Sequence, residues 1–269
     1  MLIPQTEIDF WNGNRSEIRQ EYERAVLEAI LLATTEQFGG YKIRESRKEY
    51  PGNEESKAFS EKQHDLLVTV AGNQKFASND AIHIYKPIAK NLLGYRILII
   101  RKNDAEQFSK VDQIEHFKKL KHGIPETWSD AAIFRENGFS VVEKGDFDAI
   151  FKNLVAKKFD YTAFGANEVN SIFQNKAASL NSLMIEQNTL LFYPFPLVFY
   201  VNPNQPELAK RIDIGIEAIM QSGELDELFH QFYAQEFQSL RLNERNLIQL
   251  KNHLIPEELA VLKPEFSYF

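Results

Sequence analysis

The chain has 269 residues, 43% of them hydrophobic and 26% charged, with a formal net charge of −7 and no cysteine. That length is filled more naturally by two domains than by one, and the composition supplies cores of ordinary globular size. The acidic balance lacks the basic face that binding to a nucleic-acid backbone requires, and the absence of cysteine excludes disulfides, thiol nucleophiles and thiolate metal sites.

The segment Thr6 to Asn12 alternates and predicts a strand. Ile18, Tyr22, Ala25, Val26 and Ala29 then recur at helical spacing. A helix is expected from about Ser16, opened by a capping box of Asn14 and Glu17 and closed by Gly39-Gly40. Tyr41 to Tyr50 predicts a second strand, Asn53 to Gln63 a more polar helix, and Asp65 to Asn73 a buried strand ending in a loop. This β-α-β-α-β order implies a parallel sheet.

Ile82 to Lys102 reads as extended chain around Pro87 and Gly94, then a strong strand from Tyr95 to Ile100. A second α/β series follows. Val111 to Leu120 predicts a helix, and the loop KHGIPETWSD leads into another through Arg135, closed by Asn137-Gly138. FSVVEKG predicts a strand, and DFDAIFKNLVAKKF a helix with Phe147, Ile150, Phe151, Leu154 and Val155 on one face. FDYTAFG is a strand, Asn167 to Ala177 a short helix and SLMIEQ a short strand. NTLLFYPFPLVFYVN reads as one long strand broken by two prolines. Pro206 opens an amphipathic helix that Gly223 stops, a second helix follows at once, and the tail from Ser239 is mixed.

The longest apolar run, Leu190 to Val201, is about half of what a bilayer span needs. The first ten residues lack the basic and apolar regions of a signal peptide. Either the protein is cytosolic or a signal peptide has been removed. Two α/β series joined at Pro87–Arg96 and Tyr193–Val201 predict two lobes linked by two crossings. Residues 1–94 and 195–269 form a discontinuous first lobe, and residues 95–194 form the second. Two crossings make a hinge, and the cleft between the lobes makes a site.

Three stretches carry a resemblance. VNPNQPELAKRIDIGIEAIMQSGELDELFHQFY joins a strand, a turn, a helix opening on P-E-L, and G-x-L-D-x-L. DFDAIFKNLVAKKFDYTAFGANEV is a helix with a basic turn feeding F-D-Y, and GYRILIIRK is followed by GIPETWSDAAIFRENGF. In order and spacing the chain resembles, over roughly Asp65 to Phe237, the bacterial extracytoplasmic solute-binding proteins of family 3, which include polar amino-acid binders. The resemblance implies an α/β periplasmic binding protein fold of type II, the Venus-flytrap fold. It also implies a monomer that binds a small solute without chemistry and docks to a membrane ABC-transporter permease or a membrane sensor protein. A periplasmic location follows from it, given a removed signal peptide. Neither a cofactor nor a metal is implied.

The departures narrow the ligand. Family members that bind α-amino acids carry an arginine just past the third strand, whereas AGNQKFASNDA here has only Lys75. The acid nearest the expected amine-binding position is Glu168, and Phe164 stands where the subgroup has a basic residue. A standard zwitterion is therefore disfavoured.

The candidate ligand residues lie mainly at strand ends and helix starts. In the first lobe they are Trp11 and Asn12 at the end of the first strand, and Thr69, Gly72, Asn73 and Lys75 at the end of the third. Each has a plainer reading as packing or an ordinary turn. In the second lobe, Thr127, Trp128 and Ser129 precede a helix whose N–H groups suit an anion, or they only cap it. Arg96 supplies a cation or pairs with an acid, and Asp130 serves the helix dipole. Asn167 and Glu168 follow FDYTAFG, and Tyr193 lies in the return crossing.

No G-x-G-x-x-G, P-loop, H-E-x-x-H or G-x-S-x-G is present, and the six histidines show no ligand spacing. They are read as surface or core residues. Three functions are weighed: a transport binder, a sensory module of the same fold, and a lyase or dehydratase with Glu168 as its acid. The first is preferred, with no catalytic residue.

Overall fold

The computed structural model describes residues 5–76, 80–111 and 113–265. It divides into two compact units, residues 1–90 with 196–233, and residues 91–195 with 234–269. The chain thus passes between units three times, the third within the helix Glu224–Leu240.

The strands in chain order are β1 (Thr6–Trp11), β2 (Tyr41–Ser46), β3 (Leu66–Val70), β4 (Ile82–Ile84), β5 (Tyr95–Arg101), β6 (Lys121–Ile124), β7 (Ser140–Glu143), β8 (Tyr161–Gly165), β9 (Leu183–Ile185), β10 (Thr189–Phe192), β11 (Leu197–Val201) and β12 (Asn246–Gln249).

In the first unit the sheet order is β2-β1-β3-β11-β4. β1 runs parallel to both β2 and β3, and β11 is antiparallel to β3 and β4. The amphipathic helices Glu17–Ala33 and Pro206–Ser222 pack together, the first burying Tyr22, Val26, Leu27 and Ile30 and the second Ile212, Ile216 and Ile219. Arg211 donates to Thr34 Oγ1, the Leu31 carbonyl and the Gly39 carbonyl, each at 2.9 Å, and so closes the C-terminal end of the first helix. Tyr22 seals the helix Glu224–Leu240 onto this unit through ring contacts with Phe229, Phe232 and Tyr233, and donates to the Ile88 carbonyl.

In the second unit the order is β12-β10-β5-β8-β6-β7, with β9 also on β5. β6 is parallel to β7 and β8, β5 is antiparallel to β8, and β12 is parallel to β10. The helix Phe147–Val155 buries Phe147, Ile150, Phe151 and Leu154, and Asp146 caps it by accepting from the Ala149 N–H at 2.9 Å.

Several expectations need correction. The helix at Asn53–Gln63 is only a single turn, Glu55–Lys57. Its apolar residues, Ala58 and Phe59, are adjacent and give no helical stripe. The helix at Val111–Leu120 is reduced to Ile114–Phe117, and residue 112 lies outside the described residues. The stretch read as the loop KHGIPETWSD contains β6, whose alternation is hidden by Gly123. A side chain there would collide with the Phe159 ring, so glycine is what lets the strand sit against it.

The long proline-broken strand is two strands in different sheets, β10 and β11, parted at Tyr193–Pro196, where Pro194 and Pro196 offer no N–H to a ladder. The tail beyond residue 233 belongs with the second unit rather than the first, because β12 adds to β10 and Asn252 Nδ2 donates to the Pro194 carbonyl at 2.8 Å. The Asn14–Glu17 capping box is not formed. The helix begins at Glu17 with Ser16 as its cap, and Asn14 Oδ1 instead accepts from the Ser16 N–H at 3.0 Å.

Candidate functional site

In an open α/β sheet the carboxyl ends of parallel strands are where ligands bind. The topology brings the candidate residues to that edge in each unit. In the first unit β1, β2 and β3 end there, at Trp11, Ser46 and Val70. In the second unit β6, β7 and β8 end at Ile124, Glu143 and Gly165, and the start of β5 and the end of β10 lie alongside.

Trp11 is buried, donates from Nε1 to the Lys48 carbonyl at 2.8 Å, and packs against Tyr50 and, stacked, His64. Asn12 uses Nδ2 twice, to the Gln20 carbonyl at 2.7 Å and Glu45 Oε1 at 2.8 Å, and its Oδ1 accepts from Asn14. Asn14 also donates to Glu23, which Arg19 holds through two guanidinium bonds. This polar cluster pins the turn after β1. The i,i+4 spacing of Arg19 and Glu23 was its signal in the sequence.

At the end of β3, Gly72 takes φ 74°, and Asn73 folds back to donate to Thr69 Oγ1 at 2.9 Å and accept from the Lys75 N–H at 3.1 Å. The Lys75 ammonium is matched by Glu55 at 2.7 Å.

In the second unit Arg96 is 2% exposed. Its guanidinium pairs with Asp130, donates to the Leu93 carbonyl at 3.2 Å, and lies over the Tyr193 and Phe195 rings. Tyr193 donates to the same Asp130 carboxylate at 2.6 Å. Burial raises the Tyr193 hydroxyl well above its ordinary pKa, and it stays a donor at every pH the protein meets. Asp130 is therefore the buried counter-ion of Arg96 rather than only a partner of the helix dipole.

The helix that follows, Asp130–Glu136, has seven residues, and Ser129 at its start makes no side-chain cap. Thr127 is exposed with φ 72°. Trp128 is half-buried, stacked on Phe147 at 5.9 Å with Phe164 edge-on at 6.0 Å.

After β8, Ala166 donates to the Tyr95 carbonyl, and Glu168 accepts from the Gly165 N–H at 3.3 Å. Asn167 between them is 0% exposed, and neither Nδ2 nor Oδ1 finds a partner among the described residues. Both cations offered by the sequence, Lys75 and Arg96, are thus matched by carboxylates within their own units.

No protein-family model matches the sequence, and no curated protein matches it. Among solved structures it is similar to ytmK, a probable amino-acid ABC transporter extracellular-binding protein of Bacillus subtilis, at 15% identity over 85% of this chain and 98% of that one, with a TM-score of 0.59. It is similar to AbpA of Streptococcus pneumoniae, an amino acid ABC transporter substrate-binding protein bound to L-arginine, at 13% identity over 86% and 95%, with a TM-score of 0.57. A histidine kinase sensor domain with similarity to periplasmic binding proteins matches at 14% over 86% and 96%, with a TM-score of 0.57. The chain has the two-lobe periplasmic binding protein fold of these structures.

Proposed function

We propose that this chain binds a small polar solute without transforming it and, as a monomer outside the cytoplasm, delivers it to a membrane ABC-type importer. The observation that carries this reading is the coincidence of fold and edge. In both units of a binding-protein fold a tryptophan and polar residues fall at or just beyond the carboxyl ends of the strands, Trp11, Thr69 and Gly72 in the first and Trp128, Thr127, Ser129, Asn167 and Glu168 in the second. Arg96, Tyr193, Asn12 and Lys75 support those loops. A solute that binds one state of the protein more tightly than another shifts the population toward it, and a membrane partner reads that state.

A thermal-shift screen over amino acids, polyamines, organic acids and small peptides tests the reading. A solute at a hundred times its dissociation constant adds about 2.7 kcal/mol of stability. A melting midpoint that no class moves would remove the proposal.

The sensor-domain neighbour favours a second reading, a ligand-reporting module for a signalling partner. Solute-dependent stimulation of importer ATPase activity in proteoliposomes decides for transport. Solute-dependent docking to a kinase without that stimulation decides for sensing.

A further inference from the structure

We infer that the second unit carries a docking surface for an anionic lipid bilayer, built from lysines at the amino ends of β6 and β8. Those are the opposite ends of the strands from the candidate ligand residues, so the inference goes beyond the solute-binding reading.

Three segments meet at this end of the sheet. Between β6 and β8, the Asp160 N–H donates to the Lys121 carbonyl and the Lys121 N–H donates to Asp160 Oδ2, each at 2.8 Å. Arg101, at the end of β5, donates to the Leu154 carbonyl at 2.8 Å and the Phe159 carbonyl at 2.7 Å, and so fixes the turn that closes the helix Phe147–Val155. These bonds gather Lys102, Lys119, Lys121, Lys157 and Lys158, all exposed, at one end of the unit.

The acids nearby are already matched, Asp104 and Asp160 by Arg101, Glu106 by Lys110 and Glu115 by Lys118. Lys102, Lys119, Lys121 and Lys157 form no ion pair among the described residues, and Lys158 donates only to the neutral Asn153 amide, at 2.7 Å. Lys157 and Lys158 close a helix and so favour its dipole, which leaves the other three without a structural task. The chain as a whole carries −7, so any attraction to an anionic surface has to come from a local surplus such as this one.

The chemistry of the patch selects its partner. Lysines are point charges on flexible stems, suited to a surface of many mobile charges rather than to one fixed anion. Arg101, whose planar fork would suit a fixed anion, is occupied by the chain. A single nucleic-acid strand would need rings to stack on, and Phe108, Phe117, Phe159 and Tyr161 at this end are all buried. What stands exposed among the lysines is Val155, at 39%. An apolar side chain ringed by ammonium groups matches the boundary between lipid headgroups and acyl chains.

Sedimentation of the full chain with vesicles tests this, with phosphatidylcholine alone against phosphatidylcholine mixed with phosphatidylglycerol. Retention on the mixed vesicles only, without solute and weakening as salt is added, is expected. Each lysine at an anionic surface is worth about fivefold in partitioning, so Lys121→Gln with Lys157→Gln should lower it about 25-fold. Lys210→Gln with Lys251→Gln, exposed lysines elsewhere, should leave it unchanged. Exposed substitutions of this kind barely move stability, and equal melting midpoints verify that both double variants are folded. Equal retention on neutral vesicles, or an equal loss in the two double variants, overturns the surface. So does the absence of retention at low salt, and binding of soluble polyglutamate through the same lysines would then assign the patch to an acidic protein. None of these outcomes bears on whether a solute moves the melting midpoint, so the binding reading stands or falls separately.

Discussion

The candidate residues stand on one sheet edge in each unit, and the two edges treat their polar groups differently. In the first unit nearly every such group already has a local task. The Trp11 N–H holds Lys48, Asn12 ties three segments together, Asn73 closes its own turn and Lys75 faces Glu55. In the second unit the polar groups separate into two sets. Arg96, Asp130 and Tyr193 form a buried cluster, and along the same edge Asn167 is enclosed without a hydrogen-bond partner among the described residues. Polarity at a strand end is therefore not itself a mark of ligand contact. In the first unit it shapes the loops that carry Trp11. In the second, one cluster fixes the frame and one amide is left over.

The largest effect expected is on that frame. Asp130→Ala leaves the Arg96 guanidinium buried with its counter-ion gone, and costs the second unit about 3–5 kcal/mol. Urea denaturation followed by a probe in each unit measures it. A loss below about 1 kcal/mol would mean the cluster is not structural, and would return Arg96 to the list of ligand cations.

Asn12→Leu is expected to cost about 1–3 kcal/mol, since it removes two donors and an acceptor from the turn after β1. An unchanged midpoint would show that this edge has the same slack as the other.

His122 sharpens the contrast through pH. It is buried on β6 between Phe134 and Tyr161, and neither ring nitrogen has a partner among the described residues. Burial, with the Arg96 charge adding, holds its pKa well below 6.5. The unfolded chain binds this proton as pH drops below about 6.5 while the folded chain does not, so stability falls with pH in that range, by up to about 1.4 kcal/mol per unit. His64 and His83, also lowered by burial, contribute in the same direction. His122→Phe should flatten part of this acid limb and leave stability at pH 8 equal or higher. Melting curves from pH 5 to 8 read both, and an acid limb identical to wild type would refute it.

Much of this frame was legible in the sequence. Period-two and period-3.6 patterns marked the strong strands and the long helices, because those elements bury one face and expose the other. What could not be read was pairing. β6 is a strand because β7 and β8 flank it, and its own four residues carry a lysine and a glycine. The tail from residue 234 looked mixed because β12 gains its stability from β10, more than fifty residues away in the chain. Among the candidate residues, Trp11 and Trp128 stood out by type. The engagement of Asn12, Lys75 and Arg96 depended on partners that no local pattern connects to them.

Lys75 gives the smallest effect and the most direct test of how the two edges divide the work. Its ammonium lies 2.7 Å from Glu55, with the two side chains 19% and 25% exposed. A pair this open to solvent contributes about 0–1 kcal/mol. Lys75→Met keeps the aliphatic stem that packs along the surface, so its folding stability should stay within about 1 kcal/mol of wild type. Glu55 already neutralises the cation, and drawing Lys75 to a ligand carboxylate would strand that acid. The melting shift produced by any carboxylate-bearing solute should therefore be the same in Lys75→Met as in wild type. Loss of the shift with stability intact would place a ligand carboxylate on Lys75, and the first unit would then hold a ligand cation as well as a scaffold.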